Sequence, residues 1–230
     1  MKRSEINSIM RDADNFIRQK GFYLPPFAYW TPTDWASKGE SAREIVENQM
    51  GWDITDFGHG DYKRDGLFLF TVRNGGPENA KTMAGKIYCE KIMIVDVNQR
   101  TPMHFHWGKV EDIINRGGGK LVIKLFNADA NDGLAGTDVT VSIDGVRHVV
   151  KAGDTVSLSP GESITLTSRL YHEFWGAESR LLVGEVSRVN DDRTDNRFYE
   201  PVGRFPEIEE DESPLYLLAS DYAKYYKPAK

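Results

Sequence analysis

An all-β barrel or sandwich is the fold class that the sequence predicts, on three observations. Eight short runs rich in Val, Ile, Leu and Thr follow one another after Gly66. Turn dipeptides separate the later runs, at the spacing typical of antiparallel barrels. No unit of 20 to 50 residues repeats, which removes solenoids and propellers. A length of 230 residues suits one domain with a single principal core and additions.

In chain order, the first element is a helix. From Ser4 to Lys20 the apolar residues Ile6, Ile9, Met10, Ala13, Phe16 and Ile17 recur at intervals of three and four, and Gly21 stands where a helix C-terminus favours glycine. This stripe needs a sheet or a neighbour to cover it. "FYLPPFAYWTPTDW" (22–35) is aromatic and proline-rich, which predicts an ordered loop wrapped on the body, and a short helix is expected around Ala42 to Met50. Residues 1 to about 65 thus form a helical and looped extension with short peripheral helices.

Strands are then expected at 67–72, 86–96, 120–126, 139–143, 146–150, 155–159, 163–167 and 180–186. Asp144-Gly145, between alternating flanks, predicts a two-residue hairpin, because both residues tolerate positive φ. Gly153-Asp154 and Pro160-Gly161 punctuate the next strands. After Asn190 the chain turns polar, and the acidic run "EIEEDE" (207–212) precedes "PLYLLASDYAKYY". The segment from about 190 to 230 is expected to wrap the barrel.

Composition narrows the function. A net charge of −6 with scattered Lys and Arg argues against phosphate-driven nucleic-acid binding. The lone Cys89 excludes an internal disulfide and a multi-cysteine zinc site, and is expected to pack in a strand as a small hydrophobe. "MKRSEINSIMRDADNF" lacks a signal peptide's apolar stretch, and no segment approaches the roughly 20 apolar residues of a membrane span. A cytoplasmic protein with neither nucleic-acid nor membrane partners is expected.

Chemistry concentrates in "HFHWGKVE" (104–111). Strand side chains alternate faces, so His104 and His106 share one, roughly 7 Å apart at the backbone and able to converge on one ion. A turn after Trp107 and Gly108 returns Glu111 to the same point, and an antiparallel neighbour strand would bring His172 across as a fourth ligand. His59 and His148 carry no such pattern and are expected to be surface or packing residues.

The pattern HxHxxxxE, followed by "GDTVSLSPGE" and a distal histidine, resembles the two motifs of the cupin superfamily. That resemblance implies a double-stranded antiparallel jelly-roll barrel holding a divalent metal through three His and one Glu. His172 departs from the usual second motif by standing eleven residues after Gly161, which implies an extra strand or a longer loop. "FYLPPFAYWTP", "GWDITDFG", "LFLFTVRNG", "YCEKIMIV", "TPMHFHWGKVEDIINRGGG" and "VGRFPEIEEDE" together resemble the D-lyxose isomerase family over nearly the whole chain. The family implies Mn²⁺, with Fe²⁺, Co²⁺ or Zn²⁺ also compatible with the donors, held by His104, His106, Glu111 and His172. It implies interconversion of D-lyxose with D-xylulose, and of D-mannose with D-fructose, through a cis-enediol. It also implies an active-site glutamate at Glu207, with Glu209 as the alternative.

Further candidates follow from position. Lys109 stands inside the motif, where an ammonium would neutralise charge on an enediolate oxygen. Lys91 is in phase with Cys89 and Met93 and is expected to face inward, toward a sugar hydroxyl or a carboxylate. Trp30, Trp52, Phe174 and Trp175 offer faces for the C–H side of a sugar. Rival readings are a cupin dioxygenase or decarboxylase, a phosphosugar isomerase using "VRNGG" (72–76) or Arg169, and a non-enzymatic sugar-binding module. A homodimer is expected, paired through the apolar N-terminal helix and the aromatic C-terminus.

Overall fold

The computed structural model describes residues 1–228. Helix α1 (Arg3–Gln19) is followed by α2 (Pro32–Lys38), α3 (Arg43–Glu47), β1 (Gly51–Thr55), β2 (Leu67–Asn74), α4 (Pro77–Thr82), β3 (Tyr88–Val95), β4 (Arg100–His106) and β5 (Glu111–Gly117). The chain continues through β6 (Lys120–Asn127), β7 (Val139–Ile143), β8 (Val146–Val150), β9 (Thr155–Leu158), β10 (Ser163–Leu166), β11 (Leu170–Ala177), β12 (Leu181–Arg188), β13 (Asn196–Phe198) and α5 (Tyr222–Tyr225). Two sheets form, in the orders β1-β2-β3-β12-β5-β10-β7-β8 and β13-β4-β11-β6-β9. Every pairing between these strands is antiparallel, as a jelly roll requires.

Alternation assigns each side chain to a layer. Leu67, Leu69, Met93, Val95, Ile113 and Val183 point between the sheets and pack with Leu121, Ile123 and Leu125 of the opposite sheet. Their neighbours Phe68, Phe70, Ile92, Ile94 and Leu182 point outward, where Ile6, Met10, Ala13 and Ile17 of α1 cover them. The apolar stripe of α1 is therefore covered within its own chain. Enclosing Ile6, Met10 and Ile17 stabilises this contact by roughly 1.5–3 kcal/mol per side chain.

Five strands fall outside the eight predicted runs: β4 and β11, which carry the histidines, and β1, β5 and β13. β1 and β13 are short, and β5 carries a polar residue at an inward position. Asn115 is fully buried there, its Nδ2 donating to the Gly119 and Leu158 carbonyls at 2.9 Å each and its Oδ1 accepting from Gly117 N at 2.9 Å. Asn115→Ala strands these groups, so unfolding in urea should show a loss of about 1–3 kcal/mol with an unchanged slope. The β7–β8 hairpin forms as expected, with φ of 49° at Asp144 and 82° at Gly145. The short helix expected around Ala42 to Met50 is α3, preceded by a 3₁₀ turn, Gly39–Ala42, and the chain turns away at Gln49 with φ 52°.

The segment 22–35, expected as a loop, instead holds a 3₁₀ turn, Pro26–Tyr29, and the start of α2, and it is anchored by Trp52 Nε1 donating to the Ala28 carbonyl at 2.7 Å. The acidic run lies against the start of α1: Asp211 Oδ1 accepts from Ser4 N at 2.9 Å, and Glu212 accepts from Asn7 Nδ2 at 2.6 Å. Carboxylates there satisfy free amides and oppose the positive end of the helix dipole. Arg3, fully enclosed, joins Glu210 at 2.8 Å and Asp221 at 2.9 Å. No helix of the described residues is long and apolar enough to cross a membrane.

Candidate active site

Register builds the centre. β4 and β11 are adjacent and antiparallel with His104 opposite His172, so both rings project to one side, and His106 follows two residues on. The gap after Gly161 is filled by β10 and a turn ending at Arg169, which is the extra strand that the late His172 implied. Glu111 opens β5 in the other sheet, and its Oε1 lies 3.2 Å from His106 Nε2 and 3.4 Å from His172 Nε2. One ligand atom from each histidine falls within 4.8 Å of the others.

Burial and hydrogen bonds set the protonation states. His104 Nδ1 lies 2.7 Å from the Pro102 carbonyl, and His172 Nδ1 lies 3.0 Å from that of Leu170. A carbonyl only accepts, so each Nδ1 carries the proton and each Nε2 keeps its lone pair. Burial, reinforced by the other two rings, pushes His104 well below the usual histidine range. Burial also brings His172 down to about 4. Burial would raise Glu111, but Lys109 and the imidazoles outweigh it and hold the carboxyl well below its usual range. His106 Nδ1 is buried without a partner. Imidazoles with free lone pairs beside an ionised carboxylate are the donor chemistry of a divalent-cation site.

A charged network extends from Glu111. Lys109 Nζ contacts Glu111 Oε2 at 2.7 Å and Glu185 Oε1 at 2.9 Å. Lys91 Nζ lies 3.5 Å from Glu185 and 3.6 Å from Asp192. Arg204 spans Asp53 at 2.6 Å and Asp192 at 3.3 Å. Burial would lower Lys109, but Glu111 and Glu185 raise it above the ordinary lysine value. Burial would raise Asp192, but Lys91 and Arg204 hold it far below the usual range. With Asp53 included, three cations face four carboxylates, and a divalent ion would turn this single net negative charge into a single positive one.

Of the residues singled out in the sequence, His104, His106, Glu111, His172, Lys109, Lys91 and Phe174 line one cavity, joined by Thr101, Glu185, Asp192 and Arg204. Glu207 is not brought there. Its side chain is exposed and its carbonyl accepts from the Met1 ammonium at 2.8 Å, because the acidic run is drawn to the start of α1. Glu209 likewise pairs its backbone with Met1 and Arg3. Trp30 packs on Phe27 and Trp35, Trp52 lies under α1, and Trp175 does not line the cavity. His59 contacts Asp65 at 3.2 Å, and His148 sits on the exposed β8. Cys89 is enclosed in β3, its thiol pushed up to about 12 by burial.

Glu185 was missed, although "RLLVGEV" held a signal: it is in phase with Leu181 and Val183, and a lone carboxylate at a core position needs a partner. Asn190, Asp192 and Arg204 were missed because they lie in irregular chain, where no periodicity marks a facing direction.

A jelly-roll barrel that gathers three imidazoles from one sheet and a carboxylate from the other is a cupin. The chain belongs to the D-lyxose isomerase family, whose profile matches residues 1–222. It is 49% identical over 228 residues to a D-lyxose/D-mannose isomerase of Serratia proteamaculans, covering 98% of this chain and 99% of that one. Identity to the protein of the same name from Escherichia coli O157:H7 is 47%, covering 98% and 100%. Among solved structures, the L-ribose isomerase of Acinetobacter sp. DL28 in complex with L-ribose superposes with a TM-score of 0.60 at 16% identity, covering 91% of this chain and 98% of that one, which is a likeness of fold.

Proposed function

We propose that the protein is an aldose–ketose isomerase that interconverts D-lyxose with D-xylulose and D-mannose with D-fructose at a manganese site. The observation that carries this reading is one cavity in which His104, His106, His172 and Glu111 adjoin two buried lysines and a further buried carboxylate. Close relatives named as D-lyxose/D-mannose isomerases support it.

The three histidines and Glu111 would hold the ion, which when bound polarises the neighbouring carbonyl and hydroxyl oxygens of the sugar. Glu185 takes the base role expected of Glu207: on the cavity wall, it can remove the proton from C2 of the aldose and return it to C1, while the O2 hydroxyl proton passes to O1. One carboxylate serving both carbons is the economy of a cis-enediol. Lys109, kept charged by Glu111 and Glu185, faces the oxygen on which negative charge grows. Lys91, Asp192 and Arg204 offer donors and acceptors to the remaining hydroxyls, and Phe174 offers an apolar face to the sugar's C–H side. Phosphosugar chemistry is disfavoured, because Arg73 pairs with Glu90 at 2.8 Å, Arg169 with Asp132 at 2.8 Å, and neither lines the cavity.

The test strips the protein with a chelator, restores Mn²⁺, Fe²⁺, Co²⁺ or Zn²⁺ separately, and follows D-lyxose and D-mannose by NMR in D₂O. Metal-dependent ketose should appear, with deuterium entering C2 of the aldose and C1 of the ketose. Metal uptake without turnover of any aldose would overturn the proposal in favour of a binding module. Oxygen consumption would instead indicate the dioxygenase reading.

A further inference from the structure

Lys91 comes from β3 and Lys109 from the turn between β4 and β5; Glu185 Oε1 lies 3.5 Å and 2.9 Å from their ammonium groups, and a neutral oxygen joins them as well. Asn190 Oδ1 accepts from Lys91 Nζ at 2.9 Å and from Lys109 Nζ at 3.2 Å. Asn190 is held by its backbone, whose N–H donates to Asn74 Oδ1 at 3.0 Å and whose carbonyl accepts from Asn74 Nδ2 at 2.8 Å, and its side chain also bonds the Asp192 carboxylate. Asn74 is fixed in turn, its Nδ2 donating to the Asn48 carbonyl at 3.0 Å and its own carbonyl accepting from Asn48 Nδ2 at 2.9 Å. All four of Lys91, Lys109, Asn74 and Asn190 are buried.

We infer that Asn190 is a positioning residue for the isomerisation: anchored on Asn74, its amide oxygen sets both lysine ammonium groups on the cavity wall without adding charge. The inference rests on the isomerase reading. Two like-charged ammonium groups repel, and a shared acceptor holds them together at fixed places. A carboxylate would bond them equally well, but it would cancel the single positive charge that the cavity acquires with a divalent ion. That charge opposes the single negative charge of an enediolate. An amide at this position therefore separates positioning from neutralisation.

Asn190→Asp changes the charge and keeps the shape but gives up the amide's bond to Asp192, while Asn190→Ala gives up that same bond and removes the acceptor without adding charge. Both spare the backbone bonds to Asn74. With manganese restored, Asn190→Asp should keep its metal content and melting temperature and hold KM within about threefold, while kcat falls about 10- to 100-fold, the range for residues that support a metal centre from its second layer. Binding of a hydroxamate of a sugar acid, an anionic mimic of the enediolate, should weaken by a similar factor in Asn190→Asp, whereas binding of the matching neutral sugar alcohol should not change. Asn190→Ala should lower kcat by less.

Wild-type rates in both variants would overturn the inference. So would parallel losses of melting temperature, KM, kcat and sugar-alcohol binding in Asn190→Asp, which mark a merely structural role. If Asn190→Asp does not fold, Asn190→Ala decides, and an unchanged kcat there overturns it. Failure of the wild-type protein to turn over any aldose would instead overturn the isomerase reading itself.

Discussion

Lys109→Met is expected to lower kcat about 10²- to 10³-fold while KM changes little, because the ammonium acts where charge develops rather than where the ground-state sugar is held. The geometry makes this side chain hard to replace. It lies 2.7 Å from one carboxylate and 2.9 Å from another and is almost wholly enclosed. Steady-state kinetics on D-lyxose, with manganese content measured on the same sample, separates the outcomes. A variant that retains metal and keeps wild-type kcat would remove Lys109 from the mechanism. One that loses both would make it a support for Glu111.

Arg3→Met is expected to lower the unfolding free energy by about 3–5 kcal/mol, the usual cost of leaving a buried ion without its partner. The Arg3 side chain is fully enclosed and bonds both oxygens of Asp221 at 2.9 Å, while Glu210 contacts it from a more exposed position. The orphaned charge is chiefly that of Asp221, whose side chain is 8% exposed and has one other bond, from Leu218 N at 2.9 Å. Urea unfolding should show the loss, and Arg3→Met combined with Asp221→Asn should recover much of it. A single variant as stable as the wild type would mean that α1 is held by its apolar stripe alone.

How much of this was legible in the sequence depends on whether a residue's role follows from a period. His104 and His106 were readable because a strand's twofold alternation places i and i+2 together, and Lys91 because Cys89 and Met93 fix its phase. His172 needed one further step, the antiparallel neighbour, which the register supplies. Glu207 misled because an acidic run has no period and its destination was set by a distant partner, the start of α1, which wants carboxylates for its free amides. Asn190 was invisible for a related reason. An asparagine in irregular chain reads as a turn former, and only the folded barrel shows two lysines converging on it.

The bond between Arg3 and Asp221 also bears on the order in which the molecule is made. The partners stand 218 residues apart, so at a synthesis rate of about 5–20 residues per second α1 waits roughly 10–40 s for its buried counter-ion. Leu182, part of the outer surface that α1 covers, arrives nearly as late. Phe68, Phe70, Ile92 and Ile94 of that surface are made much earlier, so α1 can meet part of its apolar cover well before it gains its counter-ion. Docking of α1 is thus split in time, an apolar contact that can form early and an ionic lock that closes only once Asp221 has been made.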